Sequence, residues 1–187
     1  MMLSESFYSL FRHYEFLLIC HVDAWVFHDD LKRWENMEVD HVGAPWLMPP
    51  SYRRYPKKLY FLYKIAIRPS AHYLLFNRVG NGGFSLRRVQ AFIKVCQEHK
   101  SDIEHYKAHS EGSHNEDIYW SLYSKELRTP STEEAYSFAF DCKPDLSYKL
   151  NNEQLPMAAH GYDKSKFFWE KFIPAPAFSA FYSQNFT

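Results

Sequence analysis

An α/β fold, with a mixed and mainly parallel sheet flanked by helices, is what this 187-residue sequence predicts, and three observations carry that expectation. Short apolar runs of strand length alternate with segments whose apolar residues recur at helical spacing. One run, Phe16-Leu17-Leu18-Ile19, is apolar without a break, as expected of a central strand covered on both faces. Hydrophobic residues make up 46% of the chain and charged residues 24%, a balance that supports a packed core and excludes disorder as the main state.

The elements follow in order. Residues 4–14 read as a short helix with Phe7, Leu10 and Phe11 on one face and Ser4 or Ser6 as its cap. Residues 15–22 read as the central strand, ending in His21-Val22-Asp23, and residues 25–27 as a second, short one. Asp29 or Asp30 then caps a helix through Trp34, and residues 39–42 form a strand running into Gly43-Ala44-Pro45-Trp46. Residues 47–70, Pro-rich at both ends and basic-aromatic between, read as an excursion from the core with one helix around 59–67. A Gly-interrupted strand falls within 76–86, and Ser85 is placed to cap a helix over 87–99 with Val89, Phe92, Ile93 and Cys96 as its apolar stripe. The polar stretch 100–114, with His99, His105, His109 and His114 in or beside it, reads as a surface loop. Asn115 caps a helix over 116–127, residues 138–140 and 157–159 are short strands, and Asp163 caps a last helix to about 172. The chain thus reads as one domain over 1–187, its core at about 15–173, with an irregular tail over 174–187.

Charge narrows the function. Lys plus Arg and Asp plus Glu number 22 each, so the chain lacks the basic excess of a simple duplex nucleic-acid binder. The balance is uneven along the sequence. Between Asp40 and Glu98 there is no acidic residue, while Arg53, Arg54, Lys57, Lys58, Lys64, Arg68, Arg78, Arg87, Arg88 and Lys94 are basic. Such a segment suggests an anionic ligand or surface, and residues 51–68 offer a peripheral membrane contact; the plainer account is pairing with acids elsewhere in the fold. Aromatic residues are 19% of the chain, so some rings are expected to stand half exposed. Cys20, Cys96 and Cys142 are too few and too scattered for a disulfide framework or a zinc cluster, which predicts a reducing, cytoplasmic setting. No secretory signal is visible, and no apolar run approaches the roughly 20 residues of a membrane-spanning helix.

Ligands of α/β sheets bind beyond the carboxyl ends of strands, so the residues that end strands are the candidates. Asp23 ends the most apolar run, and a carboxylate there suits a hard divalent cation; the alternative is a turn cap. His21 lies two residues earlier, on the same side of an ideal strand. Gly80-Asn81-Gly82-Gly83 holds three of the six glycines, allowing close approach of the backbone to a ligand, or simply a tight turn. Ser85, Arg87 and Arg88 follow it at the expected helix start, where anions are favoured. The pattern fits neither a phosphate-binding P-loop nor GxGxxG. Glu116 and Asp117 open a helix, either as dipole-stabilising acids or as a general base, and His160 follows a short strand as metal ligand, acid/base or structural imidazole.

In order and spacing these segments resemble a family of GT-A-type glycosyltransferase domains catalogued as a domain of unknown function, and more distantly the fringe-like β-1,3-glycosyltransferases. The resemblance runs from about Phe16 to His160 and is most specific over 80–87. It implies a GT-A-like fold and a metal-dependent transfer of a sugar from a nucleotide-sugar donor to a hydroxyl of a glycan or other acceptor. It matches Asp23 to the last Asp of the metal-binding Asp-x-Asp motif, with His21 in the first slot, and His160 to a late His on the metal or diphosphate; the cation is Mn2+ or Mg2+. It puts Trp46, Asn81, Gly82, Gly83 and Arg87 on the donor side with His21. It matches Glu116 and Asp117 to a Glu-Asp pair whose Asp is often the base in inverting members. Domains of this type carry several strands and helices before the metal-binding Asp, whereas 22 residues precede Asp23 here, so an N-terminally truncated domain is expected. The alternative is a non-catalytic carbohydrate- or envelope-binding module that kept the fold and lost the donor pocket.

Overall fold

The computed structural model describes residues 2–67, 71–109 and 115–178. It is a mixed α/β structure whose strands and helices alternate as the periodicity predicts. Helix α1 (Glu5–Ser9) starts where the Ser4 hydroxyl accepts the Phe7 amide, and it ends well before residue 14. Strand β1 (Phe16–Cys20) and the short β2 (Ala24–Val26) follow. Helix α2 (Leu31–Asn36) begins after Asp30, but the capping carboxylate is Asp29, which accepts the Leu31 amide. Next come β3 (His41–Pro45), a 3-10 turn at Pro50–Arg53, α3 (Lys57–Ala66), α4 (Ala71–Leu74), β4 (Val79–Arg88) and α5 (Val89–Glu98). The rest are α6 (Lys100–His109), α7 (Glu116–Tyr123), α8 (Thr132–Ala135), β5 (Ala139–Phe140), α9 (Pro144–Leu150), β6 (Ala158–His160) and α10 (Lys166–Trp169).

Among the described residues the strands form two small sheets, ordered β1-β4-β3 and β2-β6-β5. Three pairings are antiparallel and only β5 with β6 is parallel, which corrects the mainly parallel expectation. The apolar run is corrected too. The long β4 is the central strand and β1 lies at an edge, half-buried, with Leu18 and Cys20 exposed. An unbroken apolar run reports burial demand on both faces, but it does not report how many neighbours bond the strand's edges.

Other differences have local reasons. Residues 100–109 are helical rather than a loop. That helix is polar nearly all round and lacks a stripe to signal it; Ile103 and Tyr106, one turn apart, tie it to Phe92, Tyr119 and Trp120. Ser85 caps nothing: it sits in mid-strand, fully buried, and α5 starts after Arg88 without a side-chain cap. Asn115 precedes α7 but makes no capping bond, and Asp163 lies inside a 3-10 turn, Tyr162–Ser165, instead of opening a helix. Ile173, at the end of the core, and Phe178, in the tail, are buried in the cluster around Trp169; residues 179–187, Arg68 and His114 lie outside the described residues, as does the side chain of His109.

Three apolar clusters hold the fold. One, with Trp34, Val42, Phe84 and Phe138, joins the two sheets; a second, with Tyr8, Phe92 and Trp120, packs α1, α5, α6 and α7 together; a third surrounds Trp169. The first two lie on either side of β4, so the residues of β4 are fixed from both faces.

Candidate metal and carboxylate site

Strand β4 is where the site is built. Along β3, Gly43 pairs with Ser85 but the next residue, Ala44, pairs with Asn81, so Gly82, Gly83 and Phe84 stand outside that ladder as a bulge. On the other side β1 follows β4, with Cys20 opposite Phe84 and the His21 amide bonded to the Gly83 carbonyl at 2.9 Å. The bulge thus turns the Gly82-Gly83 backbone toward the ends of β1 and β6. A Cβ on Gly83 would stand 2.2 Å from the His160 ring, so only glycine lets the imidazole lie against this backbone.

Around His160 the side chains converge. Its Nε2 is 3.3 Å from Asp23 Oδ1, and its Nδ1 is 3.3 Å from Asp141 Oδ1, out of line for a full hydrogen bond. The His21 ring meets the His160 ring edge-on, centroids 5.3 Å apart. One ligand atom each from His21, Asp23 and His160 lies within 4.8 Å of the others, which is a group able to hold a metal ion. β2 and β6 position it: Ala24 pairs with His160, and the Gly161 amide donates to the Asp23 carbonyl at 2.9 Å. Burial by itself would lower the His160 pKa, but Asp141 and then Asp23 outweigh it, so the imidazole keeps its proton above its usual range. Burial would raise Asp141, yet His160 and the Cys142 thiol hold it below the usual carboxylate range. The exposed Lys164 ammonium stands 3.9 Å from the other Asp23 oxygen.

Asp117 flanks the neighbouring glycine. Its Oδ2 accepts the Gly82 amide at 3.1 Å and its Oδ1 the amide of Ile118 at 2.8 Å. Burial raises its pKa above the ordinary carboxylate range, with Glu116 adding to the rise and the two amides opposing it. Beside it lies a second charge cluster of different character. Arg87 is completely buried, and its guanidinium donates to Glu116 Oε1 at 3.0 Å, to the Tyr8 hydroxyl at 2.8 Å and to Ser85 Oγ at 3.1 Å.

The candidates from the sequence gather in two groups at successive residues of β4: His21, Asp23 and His160 at Gly83, and Asp117 at Gly82. Others take structural parts. Arg87 does not face an incoming ligand, and Glu116 is the counter-ion of Arg87, so neither stands where the donor-binding and catalytic readings need it. Asn81 bridges within the protein, donating to Asp141 Oδ2 at 3.0 Å and accepting the Gly83 amide at 3.2 Å. Trp46 lies beyond the far end of the β3–β4 pairing, its backbone bonded to Arg78 and Asn77. His99 pairs with Glu126 at 3.2 Å on the surface, away from this cluster. The sequence reading missed Asp141. It ends β5 as Asp23 follows β1, and the same strand-end criterion applied there would have found it.

The geometry can be set beside known proteins. A family model described as a protein of unknown function (DUF5672) matches residues 1–160, which takes in His21, Asp23, Gly82, Gly83, Asp117, Asp141 and His160. No curated protein and no solved structure matches the chain.

Proposed function

The chain belongs to the DUF5672 family, and for it we propose a metal-dependent sugar transfer from a nucleotide-sugar donor to an acceptor hydroxyl. The observation that carries this reading is that the His21–Asp23–His160 group and the Asp117 carboxylate flank two successive glycines of β4. A donor-binding wall of bare backbone, a cation group on one side and a basic carboxylate on the other are the parts such a reaction uses.

Two imidazoles and one carboxylate fit a first-row cation such as Mn2+ better than Mg2+, which favours an all-oxygen set. His21, Asp23 and His160 would hold it, and bound there it would neutralise charge on a diphosphate leaving group. Asp141, on the other nitrogen of His160, fixes the ring so that Nε2 faces Asp23. Lys164 supplies a further, mobile-stemmed cation at the same edge. Asp117 takes the proton. In a direct displacement the acceptor O–H bond breaks, its proton passes to the Asp117 carboxylate, and the oxygen bonds to the anomeric carbon. The bond from that carbon to the diphosphate oxygen breaks, and its electron pair leaves with the diphosphate. The raised pKa of Asp117 makes it a stronger base than an ordinary carboxylate, and the Gly82 amide on Oδ2 and the Ile118 amide on Oδ1 fix the carboxylate beside Gly82.

The test is release of nucleoside diphosphate from a panel of nucleotide sugars with and without Mn2+. Turnover is expected to require the cation and to drop by at least about a hundredfold in Asp117→Asn, within the range for loss of a general base. Its acid limb is expected at a pH above the ordinary carboxylate range, because the base must be ionised. Turnover unchanged in both Asp23→Ala and Asp117→Asn would overturn the assignment.

A further inference from the structure

The basic stretch of the sequence divides in two in the folded chain. Its later members are paired with acids: Arg87 with Glu116, Arg88 with Glu15 and Asp40, and Lys94 with Glu98. Arg53, Arg54, Lys57 and Lys58 are exposed, and among the described residues no carboxylate lies within ion-pair distance of them. They surround α3, which is apolar on two faces. Phe61 turns inward to a ring cluster of Tyr52, Tyr73 and Phe76. Leu59, Leu62, Tyr63 and Ala66, at i, i+3, i+4 and i+7, form a second stripe that faces solvent, extended by Ile67 and Tyr55, which are 67% and 80% exposed.

We infer that this face docks on an anionic lipid bilayer. The ring cluster of Tyr52, Tyr73 and Phe76 already covers one side of α3, and the solvent-facing stripe belongs to none of the three core clusters. An apolar stripe rimmed by Lys and Arg, with tyrosines among the aliphatic residues, matches an interfacial helix lying in the headgroup plane. The long cationic side chains reach up to headgroups while leucines enter the acyl boundary. A second copy of the chain fits less well, because self-pairing would bring Arg53, Arg54, Lys57 and Lys58 against their own equivalents. Among the described residues no helix is long and apolar enough to cross the membrane, so the contact is peripheral. The inference stands apart from the sugar-transfer reading, since none of its residues belongs to that site.

Co-sedimentation of the full chain with phosphatidylcholine vesicles, with and without phosphatidylserine, tests it. Binding is expected only with phosphatidylserine and is weakened by salt. Lys57→Glu with Lys58→Glu is expected to cut binding by at least about twentyfold, from about fivefold per cation. Leu59→Ser with Leu62→Ser is expected to cut it by at least tenfold, on the order of the loss from two buried leucines. Lys149→Glu, half that charge change at an exposed position of α9, is expected to bind as the unaltered chain does. Equal or absent binding to both vesicles, or an equal loss in Lys149→Glu, would overturn the inference. So would a concentration-dependent dimer abolished by Leu59→Ser, which would assign the face to a second copy.

Discussion

Two charge clusters lie along the same ten-residue strand and differ in one respect that separates structure from function. Around Arg87 the partners are satisfied and the guanidinium is shut off from water: it meets Glu116, Tyr8 and Ser85 and lies over the Phe92 ring. Around His160 the groups are half-buried, Asp23 shares its carboxylate between His160 and the distant Lys164, and the His160 Nδ1 lacks a well-aligned partner. A buried pair of opposite charges is costly to break because removal of one leaves the other desolvated. A half-open group of ligands with like-charged carboxylates nearby has something to gain from a cation. The first cluster therefore supports β4, and the second is a group that could hold a metal ion.

The sharpest way to break this contrast is Arg87→Leu, which leaves Glu116 and Tyr8 without their partner in the interior; it is expected to cost about 3–5 kcal/mol in urea unfolding. Asp23→Asn is expected to cost far less. Equal losses would erase the distinction. Gly83→Ala comes next. Its Cβ must displace the His160 ring, at about 1–3 kcal/mol of strain, and calorimetry is expected to show Mn2+ binding lost. In Gly82→Ala the Cβ would stand 2.9 Å from Glu116 Oε1 and 3.1 Å from Asp117 Cβ, less crowded than the 2.2 Å at Gly83, so the effect is smaller. Asp141→Asn is expected to weaken Mn2+ binding about 10- to 100-fold, as for loss of a group that orients a ligating histidine, with the melting temperature little changed; unaltered affinity would remove Asp141 from the site. The smallest effect is a pH dependence. The Asp117 pKa is raised in the folded state above its ordinary 3.8, so the folded chain holds that proton more tightly and loses stability as pH rises through the folded value. Asp117→Asn is expected to remove this part of the pH dependence of urea unfolding together with turnover. A pH dependence unchanged in the variant would assign it to another group.

Much of this was legible in the sequence because it is local. The periodicity of Val89, Phe92 and Cys96 placed α5, and the approximate positions of the helices in 57–66 and 116–123 followed from the same kind of pattern. The glycine cluster marks a place where backbone has to be bare, and His21, Asp23, Asp117 and His160 are legible from their strand and helix ends. The misreadings share a cause. Arg87 follows a glycine loop and looked like an anion ligand, yet alternation along the extended β4 sends its side chain inward to Tyr8, 79 residues away in sequence. The segment over 100–109 has too few apolar residues to announce a helix, since it needs only Ile103 and Tyr106 to dock.

By itself the sequence determined which residues must be buried, which positions allow no side chain, and where charge is concentrated, because propensity, periodicity and composition act over a few residues. Only the tertiary structure decided that β4 rather than β1 is the central strand, that Glu116 answers Arg87 while Asp117 accepts the Gly82 and Ile118 amides, and that Asp141 joins His160. Each of these depends on which element packs against which, and pairing across tens of residues is set by the closure of the whole core.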